Sequence, residues 1–316
     1  MAADILLVGA GQLGSRYLQG LAPLAKPLVI YVVDPSEASL QLSRQRWEDV
    51  ITPACPHTVV WRQTLESICE NPEVAIVATT ASVRPGVVEQ IASSHSPENW
   101  ILEKTLASST AGVDRITAAV RNPEKAWVNT SRRATDWYRA VRLEVGPPPF
   151  HIEVSGGPWG LVANGVHFLD LAQWLAGASL DSIDSAGLDG RWELGKRPGS
   201  WEVFGRIDAS FGGRTSLSMS ASRNDAPLEV RIAGKSGEWV VSETLGLARG
   251  GGETIAGSIP PQSVMTGPVI NGILAEAGCL LPSLREAAPL HRTFVDCLAR
   301  HWESVGMSDR EISFIQ

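Results

Sequence analysis

Residues 4–14 read DILLVGAGQLG, and this stretch decides the fold of the first half of the chain. A short apolar run runs straight into Gly9-Ala10-Gly11-Gln12-Leu13-Gly14, and SRYLQGLAPLA follows with helical spacing. Strand, G-x-G-x-x-G and helix in that order form the dinucleotide-binding fingerprint. Gly9 permits the tight turn, Gly11 lets a pyrophosphate approach the backbone, and Gly14 allows close helix–strand packing. The amides from Gln12 and Leu13 onward then face the phosphates. A second apolar run, PLVIYVV (27–33), ends at Asp34. A carboxylate about 20 residues past the last glycine binds ribose hydroxyls and repels a 2′-phosphate, which favours NAD. Arg44 and Arg46 lie downstream and keep NADP as the alternative. A glycine-rich turn beside an unrelated surface aspartate is the plainer reading, but strand, helix and acid in register argue against it.

The alternation continues along the chain. VAIVATT (74–80) is a strand ending at Thr79 and Thr80, and VRPGVVEQIASS supplies the next helix. WILEKTL (100–106) carries Glu103 and Lys104 at its end, where ligands meet the carboxyl edge of a parallel sheet. A helix over 110–121 and a strand over 126–130 complete the pattern. The expected fold class is α/β: a doubly wound Rossmann domain over residues 1–125.

From about residue 148 the period changes. FHIEVSG, WEVFGRIDASF, RTSLSMSAS and PLEVRIAGKSGEWVVSE alternate with period two or are spaced like hairpins, so they predict a mostly antiparallel sheet. Residues 126–316 therefore form a second, α+β domain for substrate binding and oligomerisation. Glycine- and proline-rich residues 249–268 predict a long loop. A C-terminal helix is expected over 282–306, with packing back onto the first domain as one option. The outer face of the sheet needs a cover, which points to a homodimer or homotetramer.

Composition narrows the partners. The 316 residues carry a formal charge of −7 with no basic block, which argues against nucleic acid. The four cysteines are scattered, so neither a disulfide framework nor a metal site is expected. No apolar run is long enough for a membrane span and no targeting signal is visible, so the expected compartment is the cytoplasm. Eleven tryptophans against three tyrosines are unusual. They read as core or interface residues, although indole faces also suit sugar rings.

One helix in the second half bears chemistry. GLVANGVHFLDLAQWLAG (160–177) places His167 and Asp170 on a shared face. His167 is either a proton-transfer group or a core histidine paired with Asp170. Arg132 and Arg133 follow a strand end, and their forked guanidinium groups suit an anionic substrate or serve as a solvated basic pair. Trp159 and Tyr138 could stack on a sugar or pack in the core.

GAGQLG, Asp34, ATTASVR, EKT and GVHFLDLAQWL together resemble the Gfo/Idh/MocA oxidoreductases over essentially the whole chain. VNTSRR and WGLVANGVHFLD look closer to a subgroup acting on surface-polysaccharide sugars. The resemblance implies hydride transfer between nicotinamide and a carbinol. It makes Lys104 the substrate- and nicotinamide-side lysine and His167 the acid–base or substrate-orienting residue. Asn164, Arg132, Arg133, Trp159, Asp170 and Tyr138 are the residues expected around the substrate. Gly9, Gly11, Gln12, Leu13, Gly14, Asp34, Thr79, Thr80, Arg84 and Glu103 fall around the cofactor. Three departures stand out. The family's E-K-P is E-K-T here, and a cis Lys–Thr bond costs about 2.5–4 kcal/mol, so a trans peptide is expected after Lys104. The family's acid four residues before the histidine is Ala163. A position often occupied by histidine is Arg84, which either meets an anion or sits on the helix surface.

The expected function is an NAD-dependent oxidoreductase acting on a sugar, sugar nucleotide or polyol. The alternatives are a reductase of an imine, keto acid or tetrapyrrole-type substrate, and an NAD-binding sensor or scaffold without turnover.

Overall fold

The computed structural model describes residues 2–196 and 199–307. The chain divides into two compact units. The first comprises Met1–Leu106, Asp114–Asn129 and Pro260–Arg285; the second comprises Ala107–Val113, Thr130–Ile259 and Glu286–Gln316. A single cut near residue 126 therefore does not describe the chain, because 260–285 rejoins the first unit.

In the first unit β1 (Ala3–Val8), α1 (Gly14–Leu21), β2 (Leu28–Val33), α2 (Glu37–Glu48), β3 (Thr58–Arg62), β4 (Val74–Val77), α3 (Arg84–Ser94), β5 (Asn99–Leu102), α4 (Thr110–Ala119) from Asp114 onward and β6 (Ala126–Val128) follow one another. The six strands run parallel in the order β3-β2-β1-β4-β5-β6. Chain order reverses at β1, which lies between β2 and β4. The carboxyl ends of β1 and β4 thus form the switch point at which such sheets bind ligands. Every residue of β4 and β5 is buried, as expected for strands covered on both faces.

Within residues 249–268, expected to be one loop, the chain forms β13 (Leu247–Gly250), β14 (Glu253–Ala256) and the start of α7 (Gln262–Leu274). One glycine of this stretch, Gly267, instead lets α7 approach α1 at Gly20. A Cβ on Gly20 would come within 2.6 Å of Thr266 Cβ, and one on Gly267 within 3.1 Å of the Gly20 carbonyl.

The second unit contains α5 (Asp136–Val145), β7 (His151–Gly156), α6 (Leu161–Ala176), β8 (Leu180–Leu194), β9 (Trp201–Phe211), β10 (Thr215–Ala221), β11 (Glu229–Gly234), β12 (Gly237–Ser242), β13, β14 and nearly all of α8 (Leu284–Ser304). Its eight strands order as β14-β13-β12-β11-β7-β10-β9-β8, antiparallel except at the β7–β10 pair. Helix α6 packs on β9 and β10. A Cβ on its Gly165 would lie 3.0 Å from the Phe294 ring of α8, so the two helices meet closely. From Glu286 onward the C-terminal helix belongs to this unit. Trp302 is fully buried and meets Trp192 and Trp201 edge-on, at 5.1 and 5.4 Å between ring centroids. Part of the tryptophan surplus is therefore core packing.

Candidate functional site

The glycine loop has the form its spacing requires. Gly9 sits at φ 96°, and a Cβ there would approach the Ala78 carbonyl carbon to 2.9 Å. At Gly14 a Cβ would lie 1.7 Å from the Gly9 carbonyl oxygen, so only glycine lets α1 start against this turn. Gly11 differs: a Cβ there would meet nothing within 4 Å. That is the open approach a diphosphate needs. Leu13, the residue before α1, offers no side-chain cap, and the Ser15, Arg16 and Tyr17 amides donate to the Gly11 and Leu13 carbonyls, which closes the turn. Thr79 Oγ1, at the end of β4, is buried without a hydrogen-bond partner among the described residues. Gln12 and Thr80 are exposed. Together these features fit a dinucleotide.

Asp34 ends the β2 segment and is held by the loop itself. Its Oδ2 accepts the Ala10 N–H at 2.7 Å and its Oδ1 accepts the Ser36 N–H at 2.8 Å. Arg46 reaches from α2 to the Gln12 carbonyl (3.0 Å), Gln12 Oε1 (2.6 Å) and Ser15 Oγ (2.6 Å). Arg44 pairs with Glu37 and lies over the Trp61 ring.

Two cofactor-side expectations meet a different placement. Arg84 is 2% exposed, and its guanidinium donates to the carbonyls of Thr79, Thr105 and Leu106. Burial pulls it down to about 10, against the pull of Glu103. The side chain ties the end of β4 to the segment after β5 and presents no charge to an anion. Glu103 also turns inward. Its Oε1 accepts from Tyr17 Oη at 2.5 Å and Asn129 Nδ2 at 2.6 Å, while its Oε2 accepts the Lys104 N–H at 3.3 Å. Burial, reinforced by Glu103, raises the Tyr17 hydroxyl well above its ordinary range. Lys104 is half-buried at the carboxyl edge of the sheet. The Lys104–Thr105 peptide is cis, not trans as expected. Thr105 is buried there and its carbonyl is gripped by Arg84, which fixes the turn.

In the second unit His167 is half-exposed on α6, and Ala163, one turn earlier on the same face, is exposed. Asn164 donates to the Trp159 carbonyl at 2.8 Å, closing the turn before the helix. Asp170 is 2% exposed and accepts from Arg133 Nη1 at 3.3 Å. Burial raises its carboxyl to about 7, partly offset by the Arg133 charge.

The residues expected around an anionic or stacked substrate are spent inside the unit. Arg133 also grips Glu286 at 2.6 and 3.0 Å. Arg132 donates twice to Glu243, at 2.7 and 2.9 Å, with its guanidinium 4.1 Å from the Phe168 ring centroid. Tyr138 is buried and donates to the same Glu243 oxygen at 2.7 Å. Trp159 donates to the Ser220 carbonyl and meets Phe168 edge-on. Arg132, Arg133, Tyr138 and Asp170, expected on the substrate side, are thus engaged in buried or half-buried ion pairs and hydrogen bonds. The carboxylates that claim the arginines lie far away in sequence, and no local pattern marks them.

A carboxylate missed by the sequence reading stands at the start of α6. Glu202, from β9, accepts the Val162 N–H at 2.7 Å through Oε1. Burial raises its carboxyl to about 7, against the lowering effect of the Val162 and Val203 amides.

No protein-family model matches the sequence, and no curated protein matches it. Solved structures do match in fold. A myo-inositol dehydrogenase from Lactobacillus casei, in complex with NAD(H) and myo-inositol, is similar at TM-score 0.68 and 13% identity, over 96% of this chain and 95% of that one. GenD2 from gentamicin A biosynthesis, in complex with NAD, is similar at TM-score 0.69 and 15% identity, over 95% and 94%. UDP-N-acetylglucosamine 3-dehydrogenase GnnA from Acidithiobacillus ferrooxidans is similar at TM-score 0.71 and 13% identity, over 95% and 96%. The chain therefore has the full two-sheet fold of these dehydrogenases.

Proposed function

We propose that the chain is an oxidoreductase of the Gfo/Idh/MocA family, passing a hydride between NAD and a carbinol or carbonyl of a sugar, sugar nucleotide or related polyol. One observation carries the reading: a glycine loop shaped for a dinucleotide, open at Gly11, within a fold shared end to end with an inositol and a sugar-nucleotide dehydrogenase.

Bound NAD would supply the hydride acceptor, held by Gly9–Gly14 and the start of α1, with Asp34 at the ribose. Oxidation of a carbinol also requires loss of its hydroxyl proton, which needs a base within hydrogen-bond reach. His167 is assigned that proton. The Lys104 ammonium is assigned the developing oxyanion charge. In the reducing direction His167 returns the proton. Arg46, already engaged with Gln12 and Ser15, keeps NADP as the secondary cofactor. Cys55, Cys69, Cys279 and Cys297 form no disulfide among the described residues, and a cytoplasmic location is part of the proposal. No helix among the described residues is long and apolar enough to cross a membrane. A homo-oligomer, joined through the outer face of the large sheet, is part of the proposal.

The test is turnover on a panel of myo-inositol, other free polyols, UDP-sugars, keto acids and imines, followed by reduced-nicotinamide absorbance. Polyol or sugar turnover that falls about 10²–10⁴-fold in Lys104→Ala and in His167→Ala, with NADH binding kept, supports both roles. NADH binding without any turnover would favour the sensor reading.

A further inference from the structure

Helix α6 opens on Gly160, in the left-handed region at φ 82°. A Cβ at that position would lie 3.0 Å from Asn164 Nδ2, 3.4 Å from Glu202 Oε2 and 3.9 Å from Ala163 Cβ. These groups converge on one point beside the first turn, over an exposed alanine that has no polar atom of its own. Positions 160, 163, 164 and 167 share a helical face, so His167 follows Ala163 one turn along.

The orientation of Glu202 is fixed. Oε1 accepts the Val162 N–H at 2.7 Å and the Val203 N–H at 3.3 Å, satisfying one of the amide donors that a helix start leaves open. With Oε1 occupied, Oε2 is the atom turned toward the face of α6. Its charged surroundings are few. Glu193 is its cross-strand neighbour on β8, and Arg223 bonds Glu193 and Asp189 while stacking on Phe204. His301 of α8 accepts from Trp192, the cross-strand partner of Val203. On α6 the titratable group of that face is His167. Among the described residues no cation is paired with Glu202, so Oε2 is open to a neutral donor.

We propose that Glu202 is a specificity-determining carboxylate: it accepts a hydrogen bond from a second hydroxyl of the substrate, while His167 handles the reacting one. The inference rests on the proposed polyol or sugar chemistry and deepens it. A keto acid would bring a like charge to this oxygen, and a substrate without a second hydroxyl would leave it without a donor. The ionised carboxylate is the better acceptor, so substrate binding strengthens as Glu202 loses its proton near neutral pH.

The experiment compares Glu202→Gln with the unaltered chain on the polyol or sugar that turns over best. Glutamine keeps an oxygen for the Val162 and Val203 amides, so α6 keeps its start. KM is expected to rise about 10- to 100-fold with kcat within a few-fold. The rise of kcat/KM with pH through about 7 should flatten in the variant. A second measurement needs no substrate: carbon-13 NMR of the glutamate carboxyls, with the signal lost in Glu202→Gln assigned to Glu202. Its midpoint is expected near 7, and a midpoint near the ordinary glutamate value would overturn the assignment. Polyol turnover with an unchanged KM and pH profile in Glu202→Gln would overturn this inference alone. Turnover confined to keto acids or imines would overturn it together with the polyol reading.

Discussion

The Tyr17 hydroxyl donates to Glu103 Oε1 at 2.5 Å, joining α1 to the end of β5 inside the first unit. Asn129 donates to the same oxygen, and Asn129 also reaches Gln262 Oε1 at 2.7 Å. This buried network sets the backbone from which Lys104 projects. Tyr17→Phe removes one donor to a buried carboxylate and is expected to cost about 1–3 kcal/mol of folding stability. Urea denaturation measures it. An unchanged midpoint at unchanged m-value would remove the Tyr17–Glu103 bond from the account.

Two glycines of one loop should respond in opposite ways. Gly14→Ala forces a Cβ into the Gly9 carbonyl and is expected to destabilise the first unit by several °C in Tm. Gly11→Ala adds a methyl in open space, so Tm should stay within a degree or two while NADH affinity falls about tenfold or more. Thermal melts and nicotinamide fluorescence titrations separate the effects. Unchanged NADH affinity in Gly11→Ala would argue that the diphosphate lies elsewhere.

Asp34 should select the cofactor through charge. Its carboxylate is fixed by the Ala10 and Ser36 amides, and a 2′-phosphate would be repelled there. NADH is expected to bind at least about tenfold tighter than NADPH. Asp34→Asn keeps an acceptor for Ala10 while removing the charge, and should narrow that gap. Tighter binding of NADPH by the unaltered chain would reverse the assignment.

Asp170 makes stability depend on pH. In the folded chain its carboxyl holds its proton up to about 7, because burial outweighs the Arg133 charge. An unfolded aspartate releases its proton near about 3.9. Between those values the unfolded chain binds fewer protons, so this residue's contribution to stability falls as pH rises. Asp170→Asn should flatten the decline measured by urea unfolding across the window from about 4 to about 7. An identical slope in the variant would place the effect in other groups.

What could be read from the sequence followed local spacing. The glycine loop, Asp34 and the 161–176 helix are continuous patterns, and each forms close to where its period puts it. Strand β8 escaped notice because LDSIDSAGLDGRWEL does not alternate: three register shifts against β9 break its pleat. Helix α7 carries Gly267, Pro268 and Gly272, which signal a loop locally; Gly267 instead packs closely on Gly20 of α1 and Gly272 on Gly278. Arg84, Arg132 and Arg133 looked like anion ligands because guanidinium groups suit anions. Their actual partners are carbonyls from the turn after β5 and carboxylates at Glu243 and Glu286, which only the folded chain brings near. Glu202 lay hidden for the same reason, since nothing in WEVFGRIDASF announces the start of a helix about 40 residues earlier.

Hydride transfer itself can be followed with an isotope. A polyol or sugar that turns over, carrying deuterium at the carbinol carbon, is incubated with NAD, and the reduced nicotinamide is analysed by mass spectrometry. The account predicts one deuterium transferred to the nicotinamide ring, with transfer strongly slowed in His167→Ala. Reduced nicotinamide without the label, or no reduction with any polyol, sugar or sugar nucleotide despite NADH binding, would contradict it.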